Sequence, residues 1–259
     1  MNGLAGKVII VAGAATGIGL ATVRRLAAEG ARVAVGDIDA SGAEEAARQI
    51  RDAGGEAIAI AYDQACETST DSLVKQAVSH FGRLDGLHAN AADLRQEIFG
   101  RDIDILHMDV AIWERTLRVN LIGYATLIRS ALPHLLESGG GSIVCTTTTT
   151  SSPPIGRDEA PVAYSSSKAG VNAMCRHVAS RWGQEGIRCN AVAPGVVLTE
   201  KAKEVMPPQF IDELKAGLRS TRLGVPMDIA ATVAFLLSDD GAWVNGQVLG
   251  VNGGAYLTP

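Results

Sequence analysis

The sequence predicts one doubly wound α/β domain built on a parallel sheet. Three observations carry that expectation. Short apolar runs of strand length alternate with segments of helical spacing along the chain. The runs are apolar at consecutive positions, as strands covered on both faces require. A glycine-rich turn separates the first run from the first helix. With 47% hydrophobic and 20% charged residues in 259, the chain has the apolar surface for a large core, and a disordered chain is excluded.

Taken in order, Lys7–Ala12 is a continuous apolar run, and Ile18–Glu29 has helical spacing that stops before Gly30. A strand at Ala31–Gly36, a charged helix at Ser41–Ala53, a strand at Glu56–Tyr62 and a helix at Thr70–Phe81, halted by Gly82, extend the beat. There follow a fourth strand at Leu84–Ala89, a long helix at Trp113–Leu136, a fifth strand at Gly141–Thr147, a helix from Val162 to Gly183, a sixth strand at Arg188–Val192 and a short seventh at Gln247–Val251. Parallel strands joined by helices take right-handed crossovers. No linker, charge block or fixed-period repeat divides the chain, so residues 1–259 read as a single domain. Two longer irregular stretches, Ala92–Ile112 and Gly195–Gly224, follow the carboxyl ends of strands, where open α/β sheets bind ligands.

The formal charge of −5 and the absence of a basic cluster argue against a nucleic-acid partner. The apolar run Val8–Val23 is rich in glycine and shorter than a membrane span, so neither a leader nor a membrane anchor is expected. Cys66, Cys145, Cys175 and Cys189 form no Cys-x-x-Cys pair and read as small core residues of a cytoplasmic protein. His80, His88, His107, His134 and His177 lack metal-ligand spacing, so no metal is expected. His88 ends a strand and reads as structural; His107 lies in the first long loop, a place for a substrate contact.

Gly13-Ala-Ala-Thr-Gly17-Ile-Gly19 stands between the first strand and helix. Gly13 permits a tight turn, Gly17 lets backbone approach a pyrophosphate, and Gly19 allows close helix packing, while the helix N-terminus offers N–H groups to the anion. In that context the pattern reads as a cradle for a dinucleotide, as in a Rossmann-type domain. Asp37 ends the second strand about twenty residues on, where a carboxylate accepts from an adenosine ribose and repels a 2′-phosphate. No Lys or Arg lies between Gly13 and Gly19, so NAD is favoured over its phosphorylated form.

Tyr164-Ser-Ser-Ser-Lys168 puts a phenol and an ammonium on one helical face. The cation favours the phenolate, so Tyr164 is expected to have a lowered pKa and to exchange a proton with a carbonyl or alcohol oxygen.

Together these features resemble the classical short-chain dehydrogenase/reductase family over essentially the whole chain. Ala12-Gly13 to Gly19 is similar to its Thr-Gly-x-x-x-Gly-x-Gly element, with Ala12 in place of Thr. Ala89-Asn90-Ala91-Ala92 is similar to its Asn-Asn-Ala-Gly element, with alanine at the first and last positions. The resemblance implies dinucleotide contacts from Gly13, Thr16, Gly17, Ile18, Gly19, Asp37, Ile38, Asp63, Gln64, Asn90, Ala91, Tyr164 and Lys168. Pro194, Gly195, Val197 and Thr199 look like the segment that engages the nicotinamide carboxamide. Val119-Asn120-Leu121 resembles the family segment whose Asn bends a helix and holds a water beside the lysine. Arg222-Leu-Gly224-x-Pro226 and Asn252-Gly253-Gly254 match structural signatures.

The family serine at the end of the fifth strand has no single counterpart. Counting from Asn120 and Gly141 reaches Thr148, and counting back from Tyr164 reaches Ser151. Strand register is held more strictly than a loop, so Thr148 is preferred; its hydroxyl has the same donor and acceptor capacity as serine. Val205–Ile211, in the substrate loop of about 195–224, is apolar; the resemblance implies a lid over an apolar secondary alcohol or ketone, with packing of Phe210 and Met206 at a subunit contact as the alternative. The implied assembly is a homotetramer or homodimer. The competing expectation is a catalytically silent dinucleotide-binding sensor or scaffold, supported by the altered Asn90 element and the threonine run.

Overall fold

The computed structural model describes residues 1–149 and 161–257. Seven parallel strands form one sheet: β1 Val8–Ala12, β2 Arg32–Asp37, β3 Ala57–Ala61, β4 Gly86–Ala89, β5 Gly141–Thr146, β6 Ile187–Pro194 and β7 Val248–Val251, in the order β3-β2-β1-β4-β5-β6-β7. Alternate side chains of β1 enter opposite layers, as a period of two dictates. Val8, Ile10 and Ala12 pack with α3 (Glu67–Phe81), α5 (Gly123–Glu137) and α6 (Val162–Trp182). Ile9 and Val11 pack with α1 (Gly17–Ala28), α2 (Ala40–Asp52) and α9 (Pro226–Leu237) on the other face. Every residue of β1 is buried, which is why its sequence is continuously apolar.

β1 pairs with both β2 and β4. The chain order reverses at that point, and ligands of open α/β sheets sit in the crevice beyond it, at the carboxyl ends of the strands. The glycine turn leaves β1 there and Asn90 leaves β4 there.

Three elements differ from expectation. The long helix at Trp113–Leu136 begins earlier and is broken: α4 (Val110–Leu117), started by the Asp109 carboxylate accepting from Ala111 N, passes through a widened π turn at Arg118–Ile122 into α5. The bulge is where Asn120 sits, and such turns concentrate at functional sites. The sixth strand runs to Pro194, which is tolerated because it ends the ladder. The stretch Gly195–Gly224 contains α7 (Glu200–Val205) and α8 (Pro208–Ala216), and Val197 bridges Gly224 across its base. The side chains of Val205 and Phe210 lie outside the described residues.

Candidate active site

The glycine turn is built as its spacing requires. A Cβ on Gly13, at φ +82°, would stand 2.6 Å from the Cα of Ala91, and one on Gly19 would stand 1.9 Å from the carbonyl oxygen of Gly13. No side chain fits at either place, so the turn between β1 and α1 closes only with glycine. Gly17, at φ +56°, faces the Cγ2 of Thr199, 3.2 Å from where a Cβ would be. Thr16 precedes α1 with no side-chain cap, no acidic residue occupies the first turn, and Ile18 follows within it. The helix therefore presents unpaired N–H groups at a cradle walled by Thr199.

The carboxylate of Asp37 turns back to this cradle, accepting from Ala15 N at 2.8 Å and Asp39 N at 3.0 Å. Asp39, not Asp37, caps α2, accepting from Gly42 N. Ile38 beside it is 71% exposed, an apolar surface at the cleft edge. Asp63 accepts from Ala65 N at 2.9 Å. The Gln64 carboxamide is spent inside the protein: it accepts from Tyr62 Oη and donates to the carbonyls of Ala91 and Val119. Its side chain thus joins the cradle to the π turn rather than facing outward. On the far side, Gly195 packs against Asn252, a Cβ there falling 2.9 Å from its Cα. The Thr199 hydroxyl accepts from Ala202 N as the cap of α7, keeping a proton to donate.

Asn90 is held at both ends of its side chain. Nδ2 donates to Gly13 O at 2.9 Å, and Oδ1 accepts from Thr146 Oγ1 at 3.0 Å. Because the Thr146 hydroxyl gives its proton to Asn90, it must accept from His88 Nε2 at 2.9 Å, which assigns the Nε2–H tautomer. Burial and the nearby Lys168 push the His88 pKa down to about 3. His88 is a neutral structural residue, as expected, and with Thr146 and Asn90 it ties β5 to the glycine turn.

Tyr164 and Lys168 lie on the first two turns of α6. Lys168 is 1% exposed, and its Nζ donates to Tyr124 Oη at 2.9 Å and to Thr146 O at 2.8 Å. It stands 5.8 Å from the centre of the Tyr164 ring. Both hydrogen-bond partners are neutral, so burial lowers the Lys168 pKa to about 7. The Tyr164 phenol, half-buried, is pushed up to about 12 by burial. This is opposite to the lowered value expected for Tyr164 from the sequence: burial raises it, and the Lys168 Nζ is turned toward Tyr124.

Asn120 is fully buried; its Oδ1 accepts from Asp93 N at 3.1 Å while its Nδ2 has no partner among the described residues. Asp93 in turn accepts from Arg95 at 2.7 and 2.8 Å and from Arg115 at 2.8 Å, and the two guanidiniums hold its pKa down to about 2. Thr148 is half-buried between Thr147 and Thr149, whose hydroxyls donate to the carbonyls of Val192 and Pro194 in β6. Ser151 lies outside the described residues.

Four participants escaped sequence reasoning. Tyr124, which holds the lysine, follows Asn120 by four residues, a spacing that the π turn hides. Asp93 holds the Asn120 carboxamide. Phe99 packs edge-on to Tyr164 with ring centres 5.1 Å apart. Asp102, 3% exposed, caps α6 from a distance: its carbonyl accepts from Val162 N at 3.0 Å and its carboxylate from Ala163 N. The last two bring the Ala92–Ile112 stretch onto the tyrosine, whereas His107 pairs with Asp104 at the exposed surface.

A dinucleotide cradle at the switch point, with a tyrosine and a lysine on the adjoining helix, defines an oxidoreductase of the doubly wound class. The chain belongs to the short-chain dehydrogenase/reductase family. A family model described as enoyl-(acyl carrier protein) reductase matches residues 13–256. A probable short-chain type dehydrogenase/reductase of Bradyrhizobium diazoefficiens is 39% identical over 254 residues, 98% of this chain and 89% of the relative. The cis-4-hydroxycyclohexanecarboxylate dehydrogenase of Sinomonas cyclohexanicum is 38% identical over 248 residues, 96% of each chain. Among solved structures, a 7α-hydroxysteroid dehydrogenase complexed with NADH and 7-oxo glycochenodeoxycholic acid superposes with a TM-score of 0.89 at 32% identity, covering 97% of this chain and 95% of that one.

Proposed function

We propose that the protein is an NAD(H)-dependent oxidoreductase that interconverts a secondary alcohol, carried on an apolar ring, and its ketone. The observation that carries this reading is the pair Tyr164 and Lys168 beside the cradle, backed by the unpartnered Asn120 Nδ2. Gly13, Thr16, Gly17, Ile18 and Gly19 hold the pyrophosphate. Asp37 and Ile38 receive the adenosine ribose and base with Asp63 and the backbone of Gln64. Asn90, Ala91, Lys168, Pro194, Gly195, Val197 and Thr199 border the nicotinamide end. The closed contact of Gly13 with Ala91 and the open, uncapped α1 terminus fit such a group, and Asp37 disfavours a 2′-phosphate.

When bound, the nicotinamide accepts or delivers hydride. Tyr164 takes the proton from the alcohol oxygen or returns it to the ketone oxygen. Lys168, fixed by Tyr124 and the Thr146 carbonyl, stabilises the phenolate as the proton leaves. Thr148, or Ser151, donates a hydrogen bond to the substrate oxygen. Asn120 offers its unsatisfied Nδ2 to a relay water, the usual partner of a buried orphan donor. Phe99 and Leu94, 41% and 54% exposed, supply apolar surface on the substrate side, which agrees with the ring alcohols named for two relatives. The reading includes a cytoplasmic location and a homotetramer or homodimer, supported by the exposed Val110, Ile122 and Trp243. Among the described residues no helix is long and apolar enough to cross a membrane.

The test is dinucleotide reduction against a panel of cyclic secondary alcohols with NAD and its phosphorylated form in parallel. Tyr164→Phe should cost roughly 10²–10⁴ in turnover, the range of general acid–base catalysis, with cofactor binding kept. Full activity in that variant would overturn the mechanism. Thr148→Val should lose turnover and Ser151→Ala keep it; the reverse result transfers the hydroxyl role to Ser151.

A further inference from the structure

Three of the four cysteines, far apart in sequence, meet in space: the sulfurs of Cys145, Cys175 and Cys189 all lie within 4.8 Å of one another. Each residue is fully buried. Register explains the meeting. Cys145 of β5 pairs with Ala191 and Cys189 of β6 with Ile143, so the two thiols sit diagonally on one face of the sheet. α6 covers that face, and Cys175 stands seven residues beyond Lys168, two turns along the same side of the helix. Cys175 Sγ also lies 3.8 Å from the carbonyl oxygen of Asn190, and the Lys168 ammonium interacts electrostatically with Cys145 and Cys175.

We propose that Cys145, Cys175 and Cys189 form a three-thiol site for arsenous acid, a trivalent thiophilic centre that takes three sulfurs in a pyramid. Ligand number favours this centre. Among the described residues no fourth His, Cys, Asp or Glu joins the three sulfurs, so a tetrahedral divalent metal would lack a protein ligand. Arsenous acid and three neutral thiols give a neutral product: three As–S bonds form and three As–OH bonds break. Each thiol proton leaves with a hydroxide as water, and no oxidation state changes. Entry requires α6 to part locally from the sheet, an opening of the kind that exposes buried amides to exchange.

The experiment mixes the reduced full-length protein with sodium arsenite, removes excess by gel filtration and reads intact mass together with the As–S absorption band. One arsenic per chain is expected, with three hydrogens lost, because the hydrogen deficit counts the sulfurs bound. Cys66, half-exposed and outside the cluster, is the control, and Cys66→Ser should bind as the parent does. Cys175→Ser and Cys145→Ala should each retain arsenic roughly a hundredfold more weakly, the scale on which a lost tethered contact lowers avidity. No adduct on the parent protein, an adduct with two hydrogens lost, or an adduct abolished by Cys66→Ser overturns the proposal. The hydrogen count on the parent chain decides the matter even if a core variant fails to fold.

Discussion

Replacing Lys168 with methionine removes a cation that stands 5.8 Å from the centre of the Tyr164 ring while keeping most of the buried stem. A unit charge 5.8 Å from the phenol ring, at an effective dielectric of about 20, favours the phenolate by about 3 kcal/mol. That is about two pKa units. In this geometry burial still leaves the phenol at about 12, so alcohol oxidation, which needs the phenolate, should rise about tenfold per pH unit across the neutral and mildly alkaline range. Losing the cation moves that limb to higher pH, with turnover about a hundredfold lower below about pH 7, where Lys168 is charged, and the gap from the parent closing above it as Lys168 loses its proton. The assay is the pH profile of turnover at saturating cofactor and alcohol, with near-ultraviolet titration of the phenol referenced to Tyr164→Phe. A rate loss independent of pH, or an unmoved phenol titration, would refute the electrostatic role of Lys168 and leave it only a binding contact.

Asp102→Ala removes the carboxylate that caps α6 from the neighbouring segment; caps of this kind contribute about 0.5–2 kcal/mol. Turnover should fall while the cofactor KM holds, and Asp102→Asn, which keeps an acceptor oxygen, should restore it. Asp93 has its pKa lowered from the ordinary 3.8 to about 2. Its contribution is therefore fully present above the unfolded-state value and is lost as pH falls through about 2. Asp93→Asn should cost about 1–2 kcal/mol in denaturant unfolding at neutral pH, with the gap from the parent closing in acid. A gap independent of pH would count against that ion-pair network.

The fold was legible because a strand buried on both faces must be apolar at every position and a helix must keep one face so. β1, β2 and α1 could be read to within a residue or two. The glycine turn was legible for a sharper reason: Gly13 and Gly19 stand where no Cβ fits, and sequence records that constraint directly. The resemblance implied a bend at Asn120, but its form as a π turn over Arg118–Ile122 was not legible, because the apolar spacing of Val119, Leu121 and Ile122 runs on as in an unbroken helix. The second long stretch was read as irregular for want of a strong pattern, yet it carries α7 and α8, short helices held by the Thr199 cap and by Pro208 in a first turn.

Sequence by itself determined the doubly wound sheet, the dinucleotide cradle and the placing of Tyr164 and Lys168 on one helical face, since all three follow from local spacing. The tertiary structure decided where the ammonium points, that burial raises the phenol pKa, that Phe99 reaches the tyrosine and Asp102 the start of its helix from another segment, and that the sulfurs of three scattered cysteines meet. Those facts depend on distances between segments dozens of residues apart, and burial and Coulomb energies follow distance in space, not along the chain.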